Sequence, residues 1–350
     1  MGLTDLLGIA LQKDASDVFI VPGSPVMAKV KGTLFPISEK GMSPRETDEL
    51  IREAYVLAHR DPALLLNSGD DDFSFAVMGL SRFRCNSYRQ RGTLAATLRV
   101  VAFGLPDPVA INIPSQVMNL TQNRSGMILV TGPAGSGKST TLACMVDRIN
   151  QTRDGHIVTI EDPIEYLHSH KKSLVSQREV PSDAPTFARA LRAALRQAPD
   201  VIMLGEMRDQ ETISTAITAA ETGHLVLSSL HTMGASKTVD RIIDTFSAEQ
   251  QNQVRVQLSM VLRAVVSQRL VPKIGGGQVA VFEVMTVNPA IQNMIRDSRT
   301  HQIDNIIYAG NGQDMLSMDN DLLRLYKAKQ ITREIALTYA LNPEVLGKKL

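Results

Sequence analysis

The rhythm of apolar positions changes near residue 104. Before it the apolar residues come in short runs. LTDLLGIALQ (3–12) predicts a short helix, DVFIV (17–21) and VMAKVKGTLFPI (26–37) predict strands separated by turn residues, and residues 44–58 predict a second helix. FSFAVM (73–78), RFRCNSY (82–88) and TLAATLRVV (93–101) have strand composition with Gly or polar turns between them. Residues 1–103 therefore read as an α+β domain. GLPDPVAINIPS (104–115), with three prolines and one glycine, cannot be the interior of an element and reads as a linker.

From 116 to 350 the pattern is that of a second domain, beginning with strands that alternate with helices. MILVTG, a helix from 138, IVTIED, a helix at 185–197, VIMLGE, a helix at 209–221 and HLVLSSL follow one another. That order predicts an α/β parallel sheet with right-handed crossovers. Beyond 236 the expectation is mostly helix, broken by Gly275–Gly277 and by VAVFEVM. In SAEQQNQVRVQLSMVLRAVVSQRLV (247–271), Val254, Leu258, Val261, Leu262, Val265 and Leu270 fall at helical spacing and predict one core-facing helix.

Charge adds little to this picture and excludes something. Lys and Arg number 37 against 36 Asp and Glu, so no global field draws the chain to nucleic acid. With no Trp and few other aromatics it lacks the stacking surface of single-strand binders. Cys85 and Cys144 lie in apolar stretches and form no CxxC pair, which fits a reducing compartment. Asp5 stands where a signal peptide would be basic, and no apolar run approaches the ~20 residues of a membrane helix. The expectation is a cytoplasmic protein without a transmembrane segment, able to dock peripherally on a membrane.

Chemistry enters at GPAGSGKST (132–140), which fits GxxxxGK[ST] through Gly132, Gly137, Lys138 and Ser139, with strand before and helix after. Pro133, Ala134, Gly135 and Ser136 keep the loop small, so consecutive backbone N–H groups face phosphates at a helix amino end. Lys138 adds a point charge, Ser139 a ligand for Mg²⁺, and Thr140 closes the motif. A nucleotide polyphosphate and Mg²⁺ are thus the expected substrate and cofactor. Two further strand ends carry acids: VTIEDPIEYLH (158–168) and PDVIMLGEMRD (199–209). Ligands of open α/β sheets bind at the carboxyl ends of strands. Glu206 is therefore the expected residue for the attacking water, and Glu165 supports the metal or its waters. ETGHLVLSSLHT (221–232) places His224 and His231 on either side of a buried strand, with His231 at the carboxyl end in position to sense a γ-phosphate. A zinc site would require ligands beyond these two.

GPAGSGKSTT, TIEDPIEY, PDVIMLGEMRD and TGHLVLSSLHT, in this order, resemble the Walker A, aspartate-box, atypical Walker B and histidine-box motifs of the type IV pilus and type II secretion ATPases. Within that superfamily the chain is most similar to the PilT-like retraction ATPases. The start aligns at LLGIALQKDASDVFI, and AIQNMIRD (290–297) is similar to the retraction motif AIRNLIRE, with Gln292 and Met294 replacing Arg and Leu. ASDVFI lacks the His common in SDIHI-type starts, and the CxxC…CxxC zinc element of many extension and secretion ATPases is absent.

The resemblance implies a PAS-like N-terminal domain joined to a RecA-like P-loop motor domain, homohexameric assembly, and ATP held between the domains. It implies work on a pilus platform protein at the cytoplasmic face of the inner membrane. It also gives His224 and His231 histidine-box roles and makes Arg241 in TVDRIID a relay of nucleotide state. Accessory retraction, extension and secretion ATPases are the neighbouring branches. A non-pilus RecA-like NTPase is the more distant rival, and a nucleotide-binding module without turnover would leave Glu206 dispensable.

Arg82, Arg84, Arg89, Arg91 and Arg99 crowd one short stretch. If Arg91–Gly92 is a hairpin turn, Phe83 faces Val100, Cys85 faces Leu98 and Ser87 faces Ala96 on one side, while Arg84 opposes Arg99 on the other. Like charges directly opposed are destabilising, and an anion between them would reverse the sign. The family sends N-domain arginines to the γ-phosphate, which assigns Arg84 and Arg99 that role by resemblance and leaves Arg89 and Arg91 as a solvated turn.

Overall fold

The computed structural model describes residues 1–101, 104–310 and 314–350. The chain folds into two compact units, Met1–Gly104 with Glu165–Leu167, and Leu105–Ile164 with His168–Leu350. The expected boundary at Phe103 lies outside the described residues.

In the first unit, helices α1 (Leu3–Gln12), α2 (Pro44–Leu57) and α3 (Ala63–Ser68) accompany six strands: β1 (Asp17–Ile20), β2 (Met27–Val30), β3 (Thr33–Pro36), β4 (Asp70–Val77), β5 (Ser81–Gln90) and β6 (Thr93–Val101). They form an antiparallel sheet of order β3-β2-β1-β6-β5-β4. α2 starts where it does because Ser43 and Glu46 form a capping box and Pro44 sits in the first turn. Leu3, Leu7, Ile51, Phe83, Cys85 and Leu98 meet in its core. Under the sheet, the buried Asp71 carboxylate accepts two bonds from Arg60 and one from the Tyr55 hydroxyl.

The second unit is built on seven strands: β7 (Gly126–Thr131), β8 (Gly155–Glu161), β9 (Ser173–Glu179), β10 (Val201–Leu204), β11 (Leu225–Leu230), β12 (Leu262–Pro272) and β13 (Gln278–Thr286). Their order is β13-β12-β7-β11-β10-β8-β9, parallel throughout except for the antiparallel β13. Its helices are α4 (Ser115–Asn119), α5 (Lys138–Thr152), α6 (Phe187–Ala194), α7 (Gln210–Glu221), α8 (Ala235–Asp244), α9 (Ala248–Val261), α10 (Pro289–Arg296), α11 (Ile303–Ala309), α12 (Met318–Lys327), α13 (Arg333–Tyr339) and α14 (Pro343–Gly347). One sheet face packs on α5, the other on α6 to α9. The four buried residues of β10 and six each of β7 and β11 show why these strands carry no exposed alternate positions, with Ser228 and Ser229 the polar residues inside β11.

One expectation is corrected here. Residues 247–271 are not one helix: α9 stops at Val261 and β12 runs on from Leu262. A strand buried on both faces has near-continuous apolar positions, and these satisfy a helical template as readily as a strand one. The proline-rich stretch 104–115, expected as the linker, is held to the second unit along its length. Ile113 is buried, Asn112 Nδ2 donates to the Ala280 carbonyl, and the Cys144 thiol donates to the Pro106 carbonyl.

Candidate active site

Strand β7 is entirely buried and delivers the chain into the loop at Gly132. Gly132 has φ 147°, and a Cβ there would lie 2.2 Å from the Gln268 carbonyl oxygen of β12. Only glycine fits this position. Gly137, at φ 88°, is the N-cap of α5 and has no side chain to cap the helix; a Cβ there would meet Gln268 Nε2 at 2.9 Å. Pro133, Ala134 and Gly135 are exposed, while Ser139 and Thr140 are half-buried in the first turn of α5. Lys138 is only 8% exposed, and its Nζ donates to the carbonyls of Gly132 and Pro133, each at 3.0 Å. The Ser136 hydroxyl is buried with no hydrogen-bond partner among the described residues. A polyphosphate fits such a cradle: helix-end N–H groups, an orphaned hydroxyl and a lysine resting on loop carbonyls.

The carboxyl ends of β8, β10 and β11 lie in one row beside this loop. Gly205 donates to the Ile160 carbonyl and accepts from the Ser229 hydroxyl, which fixes the step into Glu206. The Glu206 side chain is 15% exposed, with Oε1 2.7 Å from Arg208 Nε and Oε2 3.3 Å from His231 Nε2. Asp209 turns away from the site to cap α7 by accepting from Thr212. Glu161 is buried and accepts from Thr159 and Gln177. His231, Arg208 and Arg241 of α8 line one cleft of about 420 Å³ with Met207, Leu230 and Thr232.

Not every expected residue gathers here. His224 lies at the amino end of β11, opposite to His231, with its ring nitrogen 2.9 Å from the Ala219 carbonyl and 3.2 Å from Thr222 Oγ1. A six-residue strand separates the two imidazoles by about 20 Å. Within one chain His224 serves a turn, not the phosphate end of the sheet. Glu165 is exposed and belongs to the segment Glu165–Leu167 of the first unit.

Arg84 and Arg99 are paired directly across β5 and β6, and Arg91 and Gly92 form the two-residue turn with φ 46° and 78°. The left-handed turn matches the twist of a hairpin. Asp17 of β1 is Arg99's neighbour on the side away from Arg84 and accepts from its Nε at 3.1 Å, so a carboxylate of the protein offsets one member of the pair. Arg84 is exposed and has no hydrogen-bond or ion-pair partner among the described residues.

Sequence reasoning missed Ser267 and Gln268, which touch the loop from β12. The signal was a polar pair inside the apolar run LRAVVSQRLV, hidden by the assignment of that run to a helix.

A sequence profile described as Type II/IV secretion system protein matches residues 110–336. The chain is 42% identical over 344 residues to the type IV pilus retractation ATPase PilT of Pseudomonas aeruginosa, covering 98% of this chain and 99% of the relative. It is 43% identical to a twitching motility protein of Neisseria gonorrhoeae, covering 92% and 86%. Among solved structures it is similar to the pilus retraction motor PilT with bound ADP, at 43% identity and a TM-score of 0.90, covering 99% of each chain.

Proposed function

The chain belongs to the Type II/IV secretion system protein family, and on that premise we propose that it is the ATPase that withdraws type IV pili. The observation that carries this reading is Glu206 at the carboxyl end of β10, beside the phosphate loop of the same parallel sheet and in contact with His231. A bound polyphosphate takes the N–H groups of residues 132–137, and Lys138 exchanges its carbonyl partners for phosphate oxygens. Ser139 would hold Mg²⁺, which neutralises phosphate charge when bound. Glu206 orients the attacking water, and Glu165 assists at the metal's waters. Arg84 and Arg99 neutralise charge developing on the transferred phosphoryl group. His231 and Arg241, which share a cleft, carry the state of the site from Glu206 to α8.

The proposed working form is a homohexamer at the cytoplasmic face of the inner membrane, pulling through a platform protein. No helix among the described residues is long and apolar enough to cross a membrane. Two experiments test the reading. Purified wild type should form a ring and turn over ATP, while Glu206→Gln should bind nucleotide but lose turnover by about a hundredfold or more. A monomer without turnover would end the motor reading. Deleting the gene should leave cells piliated but unable to withdraw their pili; bald cells would mean extension, and withdrawal at reduced force would mean an accessory motor.

A further inference from the structure

The two residues of β12 that sequence periodicity assigned to a helix touch both loops of the site. Consecutive residues of a strand point to opposite faces. Val265 packs in the core that holds Ala235 and Val239 of α8, and Val266 packs in the core that holds Leu142 and Met145 of α5. The next step keeps that alternation with polar side chains. Ser267 faces the α8 side, where its hydroxyl accepts the Gly234 N–H at 2.8 Å. The same hydroxyl shares a 2.8 Å hydrogen bond with Thr131, the last residue before the phosphate loop. Gln268 faces the α5 side, where its Oε1 accepts from Thr141 Oγ1 at 2.7 Å. Its backbone carbonyl and side-chain amide are also the groups that leave no room for a Cβ at Gly132 and Gly137.

Both side chains are buried, at 2% and 4% exposure, so their hydrogen bonds do not compete with water. Gly234 closes the loop that begins at His231, and His231 contacts Glu206. One strand step thus joins the phosphate loop on one sheet face to the loop of the proposed catalytic acid's partner on the other.

The geometry assigns Ser267 and Gln268 a positioning role in ATP turnover, with Gln268 holding the shape of the phosphate loop and Ser267 holding the His231–Gly234 loop in register with it. Neither side chain has to touch the nucleotide. The assignment rests on the ATPase reading above and divides its work between binding and turnover.

The division gives the test. Wild type, Q268A, S267A and S267T are compared for steady-state kcat and KM with ATP, for affinity toward the fluorescent analogue methylanthraniloyl-ADP, and for melting temperature. Q268A should weaken analogue binding and raise KM by about tenfold, the loss of one buried hydrogen bond, with kcat at saturation nearly unchanged. S267A should do the reverse, keeping analogue affinity while kcat falls by about tenfold. S267T keeps a hydroxyl and should recover most of kcat. If S267A does not fold, S267C supplies a weaker hydrogen-bonding group of similar size and should show the same split in smaller measure. Parallel changes in kcat and KM that follow a lowered melting temperature would reduce the pair to scaffold and overturn the assignment, as would an S267A enzyme of wild-type kcat. A wild-type chain that binds the analogue without hydrolysing ATP would instead overturn the ATPase reading, and the role of Ser267 with it.

Discussion

Arg84 and Arg99 stand opposite each other on one hairpin, yet their surroundings make them different residues. Arg99 spends its charge on Asp17, whereas Arg84 is exposed with no ionic partner among the described residues. A free guanidinium is the one able to meet a phosphate, so Arg84→Ala should keep ATP binding and lose turnover by about a hundredfold or more. Arg99→Ala should lose less, because an exposed ion pair contributes little by itself. Single-turnover hydrolysis with matched nucleotide-binding curves checks both, and wild-type turnover in Arg84→Ala would remove it from the mechanism. Much of this hairpin is legible in the sequence: the turn at Arg91–Gly92 and the apolar face of Phe83, Cys85 and Leu98 follow from period-two patterning. Asp17 is not, because it joins from β1, some eighty residues earlier in the chain.

At the scale of elements, legibility depends on how the strands are buried. β4 alternates exposed and buried positions and announces itself, β7 and β10 are apolar runs bounded by glycine or acid, and β11 is a buried strand, apolar but for Ser228 and Ser229, set between two histidines. β9 carries only two apolar residues in SLVSQRE, so no periodic signal marks it. β12 carries too many, and its register against β7 is a tertiary fact that composition cannot encode. What β12 adds is a buried polar row in which Thr131, Ser267 and Glu283 are neighbours on adjacent strands. Glu283 accepts the Ala235 N–H at the start of α8, and burial pushes its carboxyl up from 4.5 to about 7, with Asp304 and Asp319 adding to the rise and the Ala235 bond and Arg269 opposing it. A carboxyl raised in the folded state contributes its full stability below its unfolded value and loses it as pH rises through the folded one. Wild type should therefore weaken between pH 4.5 and about 7 by roughly 3 kcal/mol from this group. Glu283→Gln keeps the acceptor and cannot ionise, so its stability relative to wild type should grow by that amount from about pH 5 to about pH 8 in urea titrations. An unchanged difference across that range would show that Glu283 is already ionised at the lower pH.

For the whole molecule the sheet order matters more than any single side chain. The phosphate loop leaves β7, but the strand that forbids a side chain at Gly132 and clamps Thr141 is β12, and the Thr131–Ser267 bond spans 136 residues of sequence. Contacts so distant close late, since a long loop must be ordered before they reward it. During synthesis the Walker motif leaves the ribosome well before its other wall exists. A nascent chain ending before Leu262 has β7 as a bare sheet edge and no Gln268 against Gly132. Ribosome-arrested chains should accordingly ignore an ATP affinity resin until β12 has emerged and then be retained. A motor that hydrolyses ATP would thereby be insensitive to the cell's nucleotide pool for most of its own birth.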